Sequence, residues 1–168
     1  MTQAVLKNEI TELVPESPIK PEQRKEISEA IAGVLSDAYR LAINTQGLHW
    51  NVEGPMFYSV HKMTESQYRE LTPSIDDLAE RIRAMGMPAP QSIREFVDHS
   101  ILKDLPEDAD LETRIERLVD DYERAVRRAS LVVKLAETVG DVKTADLLTE
   151  RVGVYEKNAW MLRATIAS

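Results

Sequence analysis

Residues 57–86 read FYSVHKMTESQYRELTPSIDDLAERIRAMG. Phe57, Val60, Tyr68, Leu71, Ile75, Leu78, Ala79 and Ile82 recur here at the spacing of an amphipathic helix, and Gly86, with Pro88 and Pro90 behind it, stops the pattern. One long helix is predicted, with Pro73 as its one anomaly. A proline inside a helix lacks the N–H of its turn and should bend it.

The flanking sequence repeats the pattern. From Pro21, well suited to a first helical position, Ile27, Ile31, Val34, Leu35, Ala38, Leu41 and Ala42 keep helical spacing to about Trp50, and the turn Glu53-Gly54-Pro55 closes that helix. Ser92 to about Leu102 has room only for a small connecting helix. Asp110 can cap a third long helix carrying Ile115, Leu118, Val119, Tyr122, Val126, Ala129, Val132, Val133 and Ala136, which ends at Gly140. Asp141 can cap a fourth, with Leu147, Leu148, Val152, Tyr155, Ala159, Leu162 and Ile166 inward. Alternating strand signals are missing. The expectation is an all-α, ferritin-like four-helix bundle over residues 21–168, each helix about 40 Å long, with a short helix in the long crossover between the second and third. Residues 1–20 are expected to form a partly flexible N-terminal tail.

The chain has 168 residues, 43% hydrophobic and 30% charged, with 29 acidic against 21 basic side chains and a net charge of −8. At this length roughly 70% of the unfolded surface is buried on folding, so the core needs neither disulfides nor a structural metal. Cysteine is absent, which removes thiolate nucleophiles, Cys-ligated zinc and iron–sulfur clusters. Any metal must be held by nitrogen and oxygen. The acidic balance argues against a generic nucleic-acid binder and suits cation handling. No apolar run approaches the roughly 18 residues of a membrane span, and Lys7, Glu9 and Glu12 interrupt what would be a signal peptide's apolar stretch. A cytoplasmic location without membrane contact is expected.

Of the three histidines, at 49, 61 and 99, two fall close to acidic residues at helical spacing. His61 and Glu65 are related by i, i+4, as are Asp76 and Glu80, and each pair shares a helix face. With His61 at zero, Glu65 lies at about 40°, Asp76 at about 60° and Glu80 at about 100° around the helix axis. One stripe therefore carries an imidazole and three carboxylates, groups that a dry core accepts only when paired or metal-bound. A solvated face would account for either acidic pair alone, and a structural role for His61 alone; together with His49 they read as metal ligands. The two pairs are about 22 Å apart along the helix, whereas metal ligands converge to about 2.0–2.2 Å from the ion. One copy of the helix cannot close such a site. An antiparallel copy about a two-fold axis near residues 70 and 71 would set His61 and Glu65 of one chain opposite Asp76 and Glu80 of the other, an isologous contact that makes two equal sites. The Glu-x-x-His motif of intrachain di-iron bundles does not occur; Glu95 and His99 are four apart, and His99 reads as a surface or packing histidine.

In these residues the chain resembles the Dps family, the mini-ferritins of the ferritin-like superfamily. Leu48-His49-Trp50-Asn51-Val52 with Gly54 and Phe57, then His61, Glu65 and Asp76-Asp77-Leu78-Ala79-Glu80-Arg81 ending at Gly86, are similar to the family signature in order and spacing. The likeness extends from about residue 21 over most of the chain, including Gly140-Asp141 and Thr144-Ala145-Asp146. It implies a ferroxidase centre between two-fold-related chains, with His49, His61 and Glu65 from one subunit and Asp76 and Glu80 from the other. It also implies a hollow twelve-subunit shell that oxidises Fe(II), preferentially with hydrogen peroxide, and stores Fe(III) mineral, protecting the cell from oxidative damage. Ligand type alone would also admit Zn(II) or Mn(II).

Two departures stand out: the family commonly has Asp where this chain has Glu65, and Pro73 lies between the two ligand pairs. Trp50 resembles a family tryptophan that takes up stray oxidising equivalents, although packing at a helix end would equally account for it. Trp160 reads as core or interface. Asp141 and Asp146 resemble acidic residues lining entry pores, and for Asp141 a helix cap suffices. Some family members compact DNA through basic tails, which would make such a chain nucleoid-associated. Here residues 1–26 carry Lys7, Lys20, Arg24 and Lys25 against Glu9, Glu12, Glu16, Glu22 and Glu26, and the last eight residues hold only Arg163. That charge argues against DNA binding at neutral pH without bridging cations. A non-catalytic cage is the remaining alternative, which the five-ligand pattern opposes.

Overall fold

The computed structural model describes residues 15–167. Its helices are α1 (Pro21–Asn51), α2 (Phe57–Ala84), α3 (Ile93–His99), α4 (Leu111–Thr138) and α5 (Val142–Ile166), and the described residues contain no strand. The predicted all-α bundle with its short crossover helix is the observed architecture.

Local chemistry sets the helix ends. Asp110 and Asp141 accept from the amides of Thr113 and Thr144, and Ser92 from that of Glu95, each filling a donor that the first helical turn leaves open. At the other ends, Gly86 and Gly140 adopt φ of 86° and 74°. In both, the glycine amide donates to a helix carbonyl three residues back and the next amide to one five back: Gly86 to Arg83 and Met87 to Ile82, Gly140 to Glu137 and Asp141 to Ala136. This closure needs the left-handed conformation glycine adopts freely. Helix α2 runs unbroken through Pro73, so the proline costs the Arg69 carbonyl its amide partner without ending the helix.

Short connections pair α1 with α2 and α4 with α5, the two most extensive contacts; α1 also packs on α4, and α3 on α1. The core lies in two apolar clusters. One gathers Ile27, Ile31, Leu35, Leu78, Ile82 and Leu148; the other gathers Leu41, Leu48, Val60, Leu71, Ile115, Tyr122 and Tyr155. The crossover travels from the first cluster's end to the second's. Buried Asp37 holds it to α1, accepting from Ser100 Oγ at 2.8 Å, the Ile101 amide at 3.0 Å and Arg128 Nη1 at 3.1 Å. Arg128 also donates to the carbonyls of Gly33 and His99, and Tyr39 stacks on Phe96.

Two readings are narrowed. Phe57, part of the apolar periodicity, is the first residue of α2 and is 45% exposed, and Trp160 is 64% exposed, which removes its core reading and leaves the interface one. Residues 1–14 of the expected tail lie outside the described residues. Within 15–20, Ile19 is buried and its carbonyl accepts from Arg24 Nη1. No described helix is long and apolar enough to cross a membrane.

Candidate metal centre

His49 sits in the last turn of α1 and is buried; His61 lies in the second turn of α2 and is half-buried. The α1–α2 turn brings the rings face to face, centroids 3.8 Å apart and planes 21° apart. Their hydrogen bonds are reciprocal: Nδ1 of His49 lies 2.8 Å from the His61 carbonyl, and Nδ1 of His61 lies 3.0 Å from the His49 carbonyl. A carbonyl only accepts, so both Nδ1 atoms carry the proton. In each neutral ring the lone pair is therefore on Nε2. Fixing the tautomer through a second hydrogen bond is how proteins prepare histidine to bind metal, and it is achieved here with main chain alone.

Aromatic rings complete the surroundings. Phe57 stacks on His61 with centroids 5.0 Å apart, and Tyr68 meets His49 edge-on at 5.2 Å. One turn beyond His61, the half-buried Glu65 has Lys62 Nζ 2.9 Å from Oε2 and Arg69 Nη2 2.7 Å from Oε1. The hydrogen bond from Lys62 chiefly holds the Glu65 carboxyl below its ordinary range against the opposing effect of burial, and the charges of Arg69 and Lys62 add to it.

Asp76 and Glu80 are exposed farther along the same helix. His49 and His61 thus form one pair, with Glu65 a turn farther along α2, and Asp76 with Glu80 lie about 22 Å beyond by helical rise. Among the described residues, no three His, Asp or Glu side chains of one chain converge into a metal cage.

The remaining candidates divide. Trp50, beside His49, is 67% exposed, so packing within the chain does not account for it. Asp141 is buried: it accepts from Arg81 Nη2 at 2.6 Å, the Thr144 amide at 3.1 Å and Thr144 Oγ1 at 2.5 Å. It is a helix cap tied to α2. Asp146 is exposed and pairs only loosely with Lys143, at 3.6 Å. His99 is exposed, and Glu95 accepts from the Gln91 amide; both belong to the short crossover helix.

Sequence reading assigned Phe57 and Tyr68 to packing alone and gave Lys62 and Arg69 no role. Phe57 lies four residues from His61, and Lys62, Tyr68 and Arg69 lie three or four from Glu65; that spacing was the available signal.

The bundle and its imidazole–carboxylate face define a ferritin-like class of protein, and comparison with known proteins gives the same class. The family model described as the Ferritin-like domain matches residues 28–168. Over 143 residues the chain is 32% identical to DNA protection during starvation protein 2 of Bacillus anthracis, covering 83% of this chain and 96% of that one. It is 35% identical over 147 residues to an uncharacterized low temperature-induced protein of Nostoc sp., covering 86% and 82%. The crystal structure of the Vibrio cholerae Dps protein, described as a member of a broad superfamily of ferritin-like diiron-carboxylate proteins, superposes with a TM-score of 0.83 at 27% identity, over 89% of this chain and 94% of that one. The chain belongs to the ferritin-like family and, within it, to the Dps proteins.

Proposed function

We propose that this chain is a mini-ferritin that oxidises Fe(II) and stores the ferric product inside a twelve-subunit shell built from two-fold dimers, protecting its cytoplasm from iron and peroxide. The observation that carries the reading is the reciprocal His49–His61 lock, which leaves a lone pair on each Nε2, with Glu65 one helical turn beyond His61. The ferroxidase centre lies between chains: His49, His61 and Glu65 come from one subunit and Asp76 and Glu80 from the other. The helical rise supports this arrangement, since about 22 Å is too far for one ion and about right for two equal sites across a two-fold axis near residues 70 and 71.

Imidazole and carboxylate accept Fe(II), and the carboxylates favour the harder ferric product; Zn(II) and Mn(II) are the expected competitors. Hydrogen peroxide is the preferred oxidant. Two Fe(II) give one electron each, peroxide takes both, and with two protons the products are two Fe(III) and two water molecules. Consuming peroxide in one two-electron event leaves none to form hydroxyl radical. Trp50 takes up a stray oxidising equivalent when only one iron is present. Asp146 lines the entry pore, while Asp141, with both oxygens committed to Arg81 and Thr144, supports it as a cap.

The net charge of −8 weighs against nucleic-acid compaction as the main function. Anaerobic Fe(II)-loaded protein mixed with peroxide or oxygen tests the enzyme reading. Wild type should oxidise iron much faster with peroxide, and His49→Gly/Asp76→Ala should lose that rate by at least ten-fold. Equal rates in the two proteins would refute it.

A further inference from the structure

Glu65 is flanked by one cation on each oxygen, Lys62 on Oε2 and Arg69 on Oε1. Both cations lie on α2 at offsets of three and four residues, so the turn that presents Glu65 to the site presents them too. The Glu65 side chain is 21% exposed, whereas those of Lys62 and Arg69 are 56% and 67% exposed. Two long solvent-facing side chains thus close over a half-buried acid. Their summed charge is +2, that of one divalent metal ion. A carboxylate lone pair directed at an ammonium or guanidinium proton is the lone pair a metal would need.

We propose that Lys62 and Arg69 form a displaceable cationic clamp on Glu65, one cation per oxygen, which a divalent metal ion must replace in order to bind with His49 and His61. The inference rests on reading that group as a metal centre. The exchange is balanced: one divalent ion enters, two monovalent side chains release the carboxylate oxygens, and the carboxylate stays compensated throughout. The histidines need no such exchange, because their ring protons sit on Nδ1, bonded to main-chain carbonyls, which leaves the Nε2 lone pairs for a metal. Exposed ion pairs are individually weak, so the clamp lowers metal affinity without blocking the site. Each cation is expected to change the dissociation constant about two- to five-fold.

Calorimetric titration of air-free Co(II) into the assembled protein at pH 7 tests the clamp without any turnover. Lys62→Gln and Arg69→Gln should each bind Co(II) about two- to five-fold tighter, the double variant about ten-fold tighter, and Lys62→Arg like wild type. Lys134→Gln, an exposed lysine on α4, should leave the affinity unchanged. Wild-type or weaker affinity in the double variant overturns the clamp, and so does equal tightening in Lys134→Gln, which would trace the effect to net charge. His49→Gly/Asp76→Ala separates the two levels. If Co(II) binding survives that pair of substitutions, the metal-centre reading fails and takes the clamp with it; if binding is lost there yet indifferent to the clamp variants, the clamp alone fails.

Discussion

At the scale of single residues, Asp37 shows how much of the bundle depends on one buried carboxylate. It accepts from Ser100, Ile101 and Arg128 at once, and truncation would leave those donors facing a cavity. Asp37→Ala should destabilise the fold by about 3 kcal/mol in chemical denaturation and remove hydrogen-exchange protection at the Ile101 amide. Glu65 makes a different kind of prediction. Glu65→Asp keeps the charge and should retain peroxide-driven oxidation within a few-fold, whereas Glu65→Gln should lose it by more than ten-fold in stopped-flow measurements, because a neutral amide compensates less of the metal's charge. The five proposed ligands were legible in sequence because their spacing is local to α1 and α2. The tautomer lock was not legible. It depends on where the α1–α2 turn sets two carbonyls relative to two rings, and residue types do not encode that distance.

At the scale of elements, α5 begins on a buried cap. Burial raises the Asp141 pKa, but bonds from Arg81 and Thr144 outweigh this and hold it below its ordinary value. Its stabilising contribution is therefore complete above the usual carboxylate range and fades as pH falls through the lowered folded value. Asp141→Ala should cost about 2 kcal/mol at pH 7, and the gap to wild type in urea denaturation should narrow as pH falls below about 4. Helix α2 carries the opposite kind of feature. Pro73 is exposed, so its ring contributes little packing while its missing N–H weakens the ladder. Pro73→Ala should raise stability by about 1–2 kcal/mol; a loss measured by denaturation would assign the proline a structural role instead. Sequence periodicity anticipated the four long helices, because three-and-four spacing and capping residues are properties of contiguous chain. It did not anticipate the exposure of Phe57, since a periodic pattern marks a face as apolar without saying whether this chain supplies what covers it.

At the scale of the whole molecule, charge and assembly decide the predictions. Asp146→Asn should slow iron uptake in a shell whose ferroxidase centre is intact, read as a lower initial rate of mineral growth; an unchanged rate would remove the pore assignment. A low-salt gel shift with supercoiled DNA should show no stable complex unless Mg(II) is added, and a complex retained without Mg(II) would overturn the charge argument. The sequence by itself determined the helices, their order, the length of the crossover, and that any metal here must bind to nitrogen and oxygen, all of which follow from composition and local spacing. Only the tertiary structure decided that His49 and His61 lock each other's tautomers, that Arg81 of α2 ties down the Asp141 cap, and that Asp37 anchors the crossover. Those facts depend on distances of a few ångströms between segments remote in sequence or folded back on themselves, and packing, not spacing, sets such distances.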